Sequence, residues 1–363
     1  MHMFTRLRMF LMSLLEKKKK YTKSIKVTQI KNENVTPLKK HTPLKYDLPA
    51  ISNALHLSNK IGIKWEVYKD IARHPENHYH VFHIKKKNGG FRTIAAPNEE
   101  LSMIQNYINE NILFAYKIHK SAFGYVKGKS IIDVANHHLK SENFLSLDLE
   151  NFFPSIGAER LYYYFGKLGG YDKSISDNLV RFCMYGTGIP QGACTSPQIS
   201  NIIAYKLDLR LGELCQSKGL KYSRYVDDLT FSGETEHIND KLLFTVQKII
   251  ADEGFKLNSK KTRFGNNRNG FIITGLMIRN NSICVPSSYI KKIKNELYYI
   301  NKYGLLDHKK REKIENSNYL EHIKGKINYV MHVDESKGLL VKEQFDKTIL
   351  KINSMESDMR GLL

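Results

Sequence analysis

Two short acidic segments constrain this chain more than any other feature. In FLSLDLENFF, residues 144 to 153, strict alternation places Leu145, Leu147 and Leu149 on one face of a strand and Phe144, Ser146 and Asp148 on the other. The apolar face is expected to pack on helices while Asp148 projects from an open face. In KYSRYVDDLTFSG two β-type runs meet at Asp227-Asp228, which sets the pair at the tip of a hairpin. Asp favours turns for its own conformational reasons, so the pair gains meaning only from what surrounds it.

Between the two acidic segments lies GIPQGACTSPQISNIIAYKLDLRL, a Pro/Gly-rich loop running into a helix through Ser196, Pro197 and Ile199. Small residues there let a base pair approach the backbone. Downstream, FKLNSKKTRF precedes NGFIITGLMI, read as a strand in which Gly275 suits a close backbone approach. A trio of carboxylates in such a setting suits nucleotidyl transfer, in which two Mg²⁺ ions about 3.5–4 Å apart stabilise the attacking hydroxyl and the leaving pyrophosphate oxygen. Magnesium takes oxygen ligands and keeps several waters, so a few carboxylates and substrate phosphates suffice.

Charge points to the partner. Lys and Arg number 57 against 36 acidic residues, and a net charge of +21 calls for a polyanion, nucleic acid first. Cys183, Cys194, Cys215 and Cys284 form no CxxC pair, so neither a zinc knuckle nor a disulfide framework is indicated, and a reducing cytoplasm fits. His78, His80 and His83 alternate as strand residues do and lack a recognisable zinc spacing; they are read as surface or RNA-facing. The N-terminal MFTRLRMFLMSLLEKKKK is too short and too interrupted for a membrane span and has no cleavage site. It is expected to be an amphipathic basic helix lying on RNA or on the protein's own body.

Residues 1–45 thus read as a basic N-terminal extension and residues 46–285 as a body of alternating strand and helix signals. Residues 286–363 read as a helical, lysine-rich module. Within the body, Ile51 to Ala72 has helical spacing, a hairpin is expected around Asn88-Gly89-Gly90, and a helix carries Leu101, Ile104, Ile108 and Ile112. In the C-terminal module, helices are expected over Tyr289 to Tyr303 and Tyr319 to Val333.

Taken in order from about Ile84 to Val333, these motifs resemble the reverse transcriptase family. LSLDLENFF resembles its first palm motif, IPQGACTSP the second, YVDD the third, and LNSKKT and ITG the fourth and fifth. The resemblance implies an α/β right-hand polymerase: fingers, a palm of antiparallel sheet plus helices, and a helical thumb. It implies metal ligation by Asp148, Asp227 and Asp228 with the carbonyl of Leu149, holding two Mg²⁺ ions, with Mn²⁺ as the alternative. Phe153 matches an aromatic gate against the ribose 2′-OH, and Gln191 a residue that packs on the incoming dNTP. Lys86 and Arg92 match finger residues that grip its triphosphate, and Lys261 the acid that protonates the leaving group.

Within the family, DLENFFPSI, FIITGLMI and VANHH resemble the bacterial retron enzymes. In VANHH, Ala135 and His138 match an Asn-Ala-x-x-His motif, with Val134 where Asn is expected. This closer resemblance implies a cytoplasmic enzyme, without a membrane partner, that copies a cognate structured non-coding RNA (msr–msd) from a guanosine 2′-OH into branched msDNA. It also implies a place in anti-phage defence beside an effector protein encoded nearby. His138, Lys291, Lys292, Lys294, Lys324 and Lys326 are the implied RNA contacts, with C-terminal tyrosines stacking or packing. The competing readings are another bacterial reverse transcriptase (group II intron, diversity-generating or abortive-infection type), an RNA-dependent RNA polymerase, and a catalytically silent RNA-binding scaffold with a palm fold. Phe153 speaks against the second and the intact carboxylate set against the third.

Overall fold

A computed structural model describes residues 46–86 and 89–360. The basic arm and amphipathic helix expected before Tyr46 lie outside the described residues, as does Asn88. Strands β1 (Tyr79–Lys85) and β2 (Phe91–Pro97) pair antiparallel as the expected hairpin. The apolar spacing over Ile51 to Ala72 resolves into two helices, Ala54–Ile61 and Trp65–Arg73, broken at Gly62. Asn98 caps the helix Glu99–Asn111 by accepting from the Leu101 N–H.

Strands β3 (Asn143–Asp148), β4 (Lys221–Tyr225), β5 (Asp228–Gly233) and β6 (Arg263–Asn266) form one antiparallel sheet in the order β4-β5-β3-β6. Leu145, Leu147, Leu229 and Phe231 face the main core, fully buried against residues such as Ile108, Leu179, Leu207 and Leu211. Each such side chain contributes about 1.5–3 kcal/mol of burial.

The opposite face is not open, contrary to expectation. Phe144 is fully buried and stacks on Phe271 with ring centroids 5.1 Å apart, inside a cluster with Val134, Ala135, Leu276 and Ile278. Helix Ile131–His138 and a second sheet of β7 (Phe271–Ile273), β8 (Leu276–Arg279) and β9 (Ser282–Cys284) supply that cover. NGFIITGLMI is therefore a hairpin and not one strand. Thr274 and Gly275, at φ 48 and 91, form a two-residue turn whose positive φ values match the twist of the flanking strands. A Cβ on Gly275 would meet nothing within 4 Å, so glycine serves the turn and not a close approach.

After Val285 the chain is helical: Ser287–Tyr303, Leu305–Arg311, Tyr319–Val333 and Glu335–Arg360. These helices enclose an apolar cluster of their own around Ile293, Leu297, Ile323, Ile327, Val330 and Val341. Among the described residues no helix is long and apolar enough to cross a membrane.

Candidate active site

The register of the main sheet gathers the acidic residues at one end. Asp148, the last residue of β3, is paired with Asp228, the first of β5. Asp227 lies in the β4–β5 turn, and its carbonyl accepts from the Leu149 N–H at 2.9 Å, docking the turn onto the end of β3. Leu149 buries its side chain in the core, and its backbone carbonyl is the one oxygen it could offer a metal. Lys261 Nζ donates to Asp148 Oδ2 at 2.6 Å, and Asn258 Nδ2 to Oδ1 at 3.3 Å.

Few charges balance the turn pair. Burial first, then the neighbouring carboxylates Asp227 and Asp148, push the Asp228 carboxyl up to about 7. Burial and Asp148 raise Asp227 as well, against the pull of Lys261 and Arg92. Crowded oxygen donors kept from water fit a hard divalent cation, whose charge would relieve both effects. Among the described residues no three His, Cys, Asp or Glu side chains converge closely enough to enclose an ion. Water and substrate phosphates would complete the coordination, which is how magnesium is ordinarily held.

The Pro/Gly-rich loop joins the β1–β2 hairpin to this site. Ala95 N–H donates to the Gln191 carbonyl at 2.9 Å. A Cβ on Gly192 would lie 2.7 Å from the Ala95 carbonyl oxygen, so glycine permits the approach. Gln191 Oε1 is buried with no hydrogen-bond partner, an acceptor that a ligand donor would satisfy. Arg92, paired with Ile84 across the hairpin, is near enough for its charge to act on Asp227. Lys86 is exposed just beyond β1.

Phe152 and Phe153 do not lie on a strand, because β3 ends at Asp148 and the chain turns through residues 149–155. The turn divides the two rings: Phe152 is 2% exposed and packs on Phe255, while Phe153 is only partly buried.

Two of the residues expected to contact RNA are placed otherwise. His138 is fully buried, with Nδ1 2.6 Å from Ser232 Oγ and Nε2 2.7 Å from Ser223 Oγ. It tethers helix Ile131–His138 to β4 and β5 and cannot meet RNA there. Lys326 forms an ion pair with Glu296 at 2.8 Å with its side chain 14% exposed, which ties two C-terminal helices together. Lys291, Lys292 and Lys294 are exposed; Lys324 is exposed beside Glu321. Tyr289 and Tyr329 pack edge to face, whereas Tyr298 and Tyr299 are exposed.

Sequence reasoning passed over the buried Arg224–Asp208 pair beneath the acidic turn. A signal existed: a lone Arg inside the β-type run YSRYV, and a lone Asp on the apolar stripe Leu207–Leu211 of the helix Tyr205–Ser217.

A mixed α/β fold whose central antiparallel sheet brings carboxylates together at one end is that of a palm-type polymerase. Residues 84–316 match the family model described as reverse transcriptase (RNA-dependent DNA polymerase). The chain is 31% identical over 289 residues to the retron Ec86 reverse transcriptase of Escherichia coli, spanning 79% of this chain and 86% of that protein. It is 28% identical to the retron Mx162 reverse transcriptase of Myxococcus xanthus, spanning 80% and 66%, and 28% identical to the retron Ec83 enzyme of Escherichia coli, spanning 76% and 90%. The chain belongs to the reverse transcriptase family, the RNA-directed DNA polymerases, and within it to the retron reverse transcriptases. Likeness to solved structures is distant. A telomerase from Candida albicans with a telomeric RNA fragment gives a TM-score of 0.43 at 14% identity, over 80% of this chain and 63% of that one. A foamy viral protease–reverse transcriptase with double-stranded DNA gives 0.42 at 15%, over 76% and 44%.

Proposed function

We propose that this enzyme copies a cognate structured RNA into branched msDNA, starting from a 2′-OH within that RNA. The observation that carries the polymerase chemistry in this reading is the carboxylate set at the β3–β5 junction, where Asp227 and Asp228 are desolvated and repelled by neighbouring carboxylates; the 2′-OH primer and the branched product rest on the retron resemblance. Asp148, Asp227, Asp228 and the Leu149 carbonyl would hold two Mg²⁺ ions, which when bound supply charge stabilisation for the attacking and leaving oxygens. Lys261 holds Asp148 in place and stands ready to give a proton to pyrophosphate. Arg92 and Lys86 neutralise the triphosphate, Gln191 supports the incoming deoxynucleotide, and Phe153 excludes a ribose 2′-OH. Residues 46–285 act as fingers and palm. Residues 286–363 act as the thumb, whose Lys291, Lys292, Lys294 and Lys324 meet RNA phosphates.

Membership among the retron enzymes extends the proposal: the RNA–DNA product restrains an effector protein encoded nearby, in the cytoplasm, as part of anti-phage defence. Co-expression with the RNA gene upstream, followed by nuclease mapping of the nucleic acid that copurifies, tests the product. DNA joined to RNA through a branch, lost in Asp227→Ala/Asp228→Ala, is the expected result. RNA alone in both proteins, or unbranched DNA, would refute msDNA synthesis.

A further inference from the structure

The turn that carries Asp227 is held in an unfavourable conformation from beneath. Val226 has φ 62, a region in which a β-branched side chain crowds its own backbone. Such a residue persists where its surroundings enforce it.

The enforcing groups are buried and specific. Arg224 and Asp208, both with wholly buried side chains, form the ion pair beneath the turn. Arg224 Nε donates to Asp208 Oδ1 at 2.8 Å and Nη2 to Oδ2 at 2.7 Å, which fixes the guanidinium plane. Nη2 also donates to Asn201 Oδ1 at 3.0 Å, and the Tyr222 hydroxyl to Asp208 Oδ1 at 2.8 Å. Nη1 donates to the Val226 carbonyl at 3.2 Å. Gly124 closes the turn in: a Cβ there would lie 2.8 Å from both the Val226 amide nitrogen and its Cγ2. Asn201 Nδ2 holds the Gly124 carbonyl at 3.0 Å, so one network grips both sides.

Stability alone accounts poorly for this pair, because well-packed apolar residues often replace a buried ion pair without loss. We propose that Arg224 is a positioning residue: locked by Asp208 and Asn201, it grips the Val226 carbonyl, keeps Val226 left-handed and so fixes Asp227 at the end of β3. The inference rests on the reading of Asp227 as a metal-holding carboxylate.

The test uses the full chain on a poly(rA)·oligo(dT) duplex with dTTP, comparing Arg224→Met/Asp208→Leu with and without Val226→Gly. Glycine takes positive φ without crowding. The paired replacement strands the Tyr222 hydroxyl and Asn201 Oδ1 and is expected to lower Tm while the protein stays folded, with duplex affinity and KM nearly unchanged and kcat falling by roughly tenfold to a hundredfold. Adding Val226→Gly is expected to recover most of that loss, which a merely structural role would not allow. An unchanged kcat, or a loss that glycine leaves untouched, overturns the proposal. Should the pair fail to fold, Gly124→Ala presses on the turn with the ion pair intact. It is expected to lower kcat, with partial relief by Val226→Gly, which removes the Cγ2 contact and leaves the one with the amide nitrogen; an unaffected kcat counts against the proposal. An Asp227→Asn control separates the two readings: activity retained there refutes the metal-holding role itself, whereas activity lost there but kept in the Arg224 variants refutes only the positioning.

Discussion

Asp228 illustrates how a functional residue opposes folding. Its carboxyl, pushed up to about 7 by burial and its acidic neighbours, ionises in the unfolded chain first. Stability is therefore lost as pH rises from the ordinary carboxylate range through the folded value. We predict that Asp228→Asn raises the stability of metal-free protein by about 1–2 kcal/mol at pH 8, a figure discounted for partial solvent access. No gain is expected near pH 3, where both states hold the proton; melts in EDTA at the two pH values check this. His138 has the opposite sign: burial holds its imidazole well below the usual value, so stability is lost as pH falls below about 6.5. His138→Ala would strand the Ser223 hydroxyl, while Ser232 keeps Ser141 as a partner, and is expected to cost about 1–3 kcal/mol by denaturant titration. At the gate, Phe153→Ala should raise the kcat/KM ratio of ribonucleotide to deoxynucleotide by about tenfold or more.

Elements were legible in the sequence where their signal was local. Alternation in FLSLDLENFF and YVDD between two β-type runs foretold β3, β4 and β5, because period-two patterning and turn chemistry are short-range, whereas the meeting of their carboxylates was implied only by the family resemblance. What covers a strand is not short-range. The burial of Phe144 depends on β7 and β8, more than a hundred residues away, and the isolated segment reads as half-open. His138 and Arg224 were hidden for the same reason, since a polar residue in an apolar run is explained only by partners from distant elements. The contact between the Pro/Gly-rich loop and β2 is likewise tertiary, and it gives a prediction at this scale. Gly192→Ala would drive a Cβ against the Ala95 carbonyl and displace the hairpin that carries Arg92. The KM for dNTP is expected to rise by about tenfold or more, with a fall in Tm from the strained backbone at φ 127, read from steady-state kinetics and melts together.

For the whole molecule, the net charge of +21 makes nucleic-acid binding strongly dependent on salt. Replacing the exposed Lys291, Lys292 and Lys294 with alanine should weaken RNA binding and flatten its dependence on log salt by about two units, as expected when phosphate contacts are lost. Lys326→Ala should instead destabilise the C-terminal helices, because Lys326 is committed to Glu296. Polymer binding and chemistry thus reside in different groups and separate on mutation. That the carboxylates at the end of β3 and β5 make this chain an RNA-directed DNA polymerase is tested most directly by incorporation of labelled dNTP on an RNA template by purified enzyme and its Asp148→Ala variant. Mg²⁺-dependent synthesis that EDTA abolishes and that the variant lacks, with RNA binding retained, is the predicted result; synthesis that persists in Asp148→Ala would contradict it.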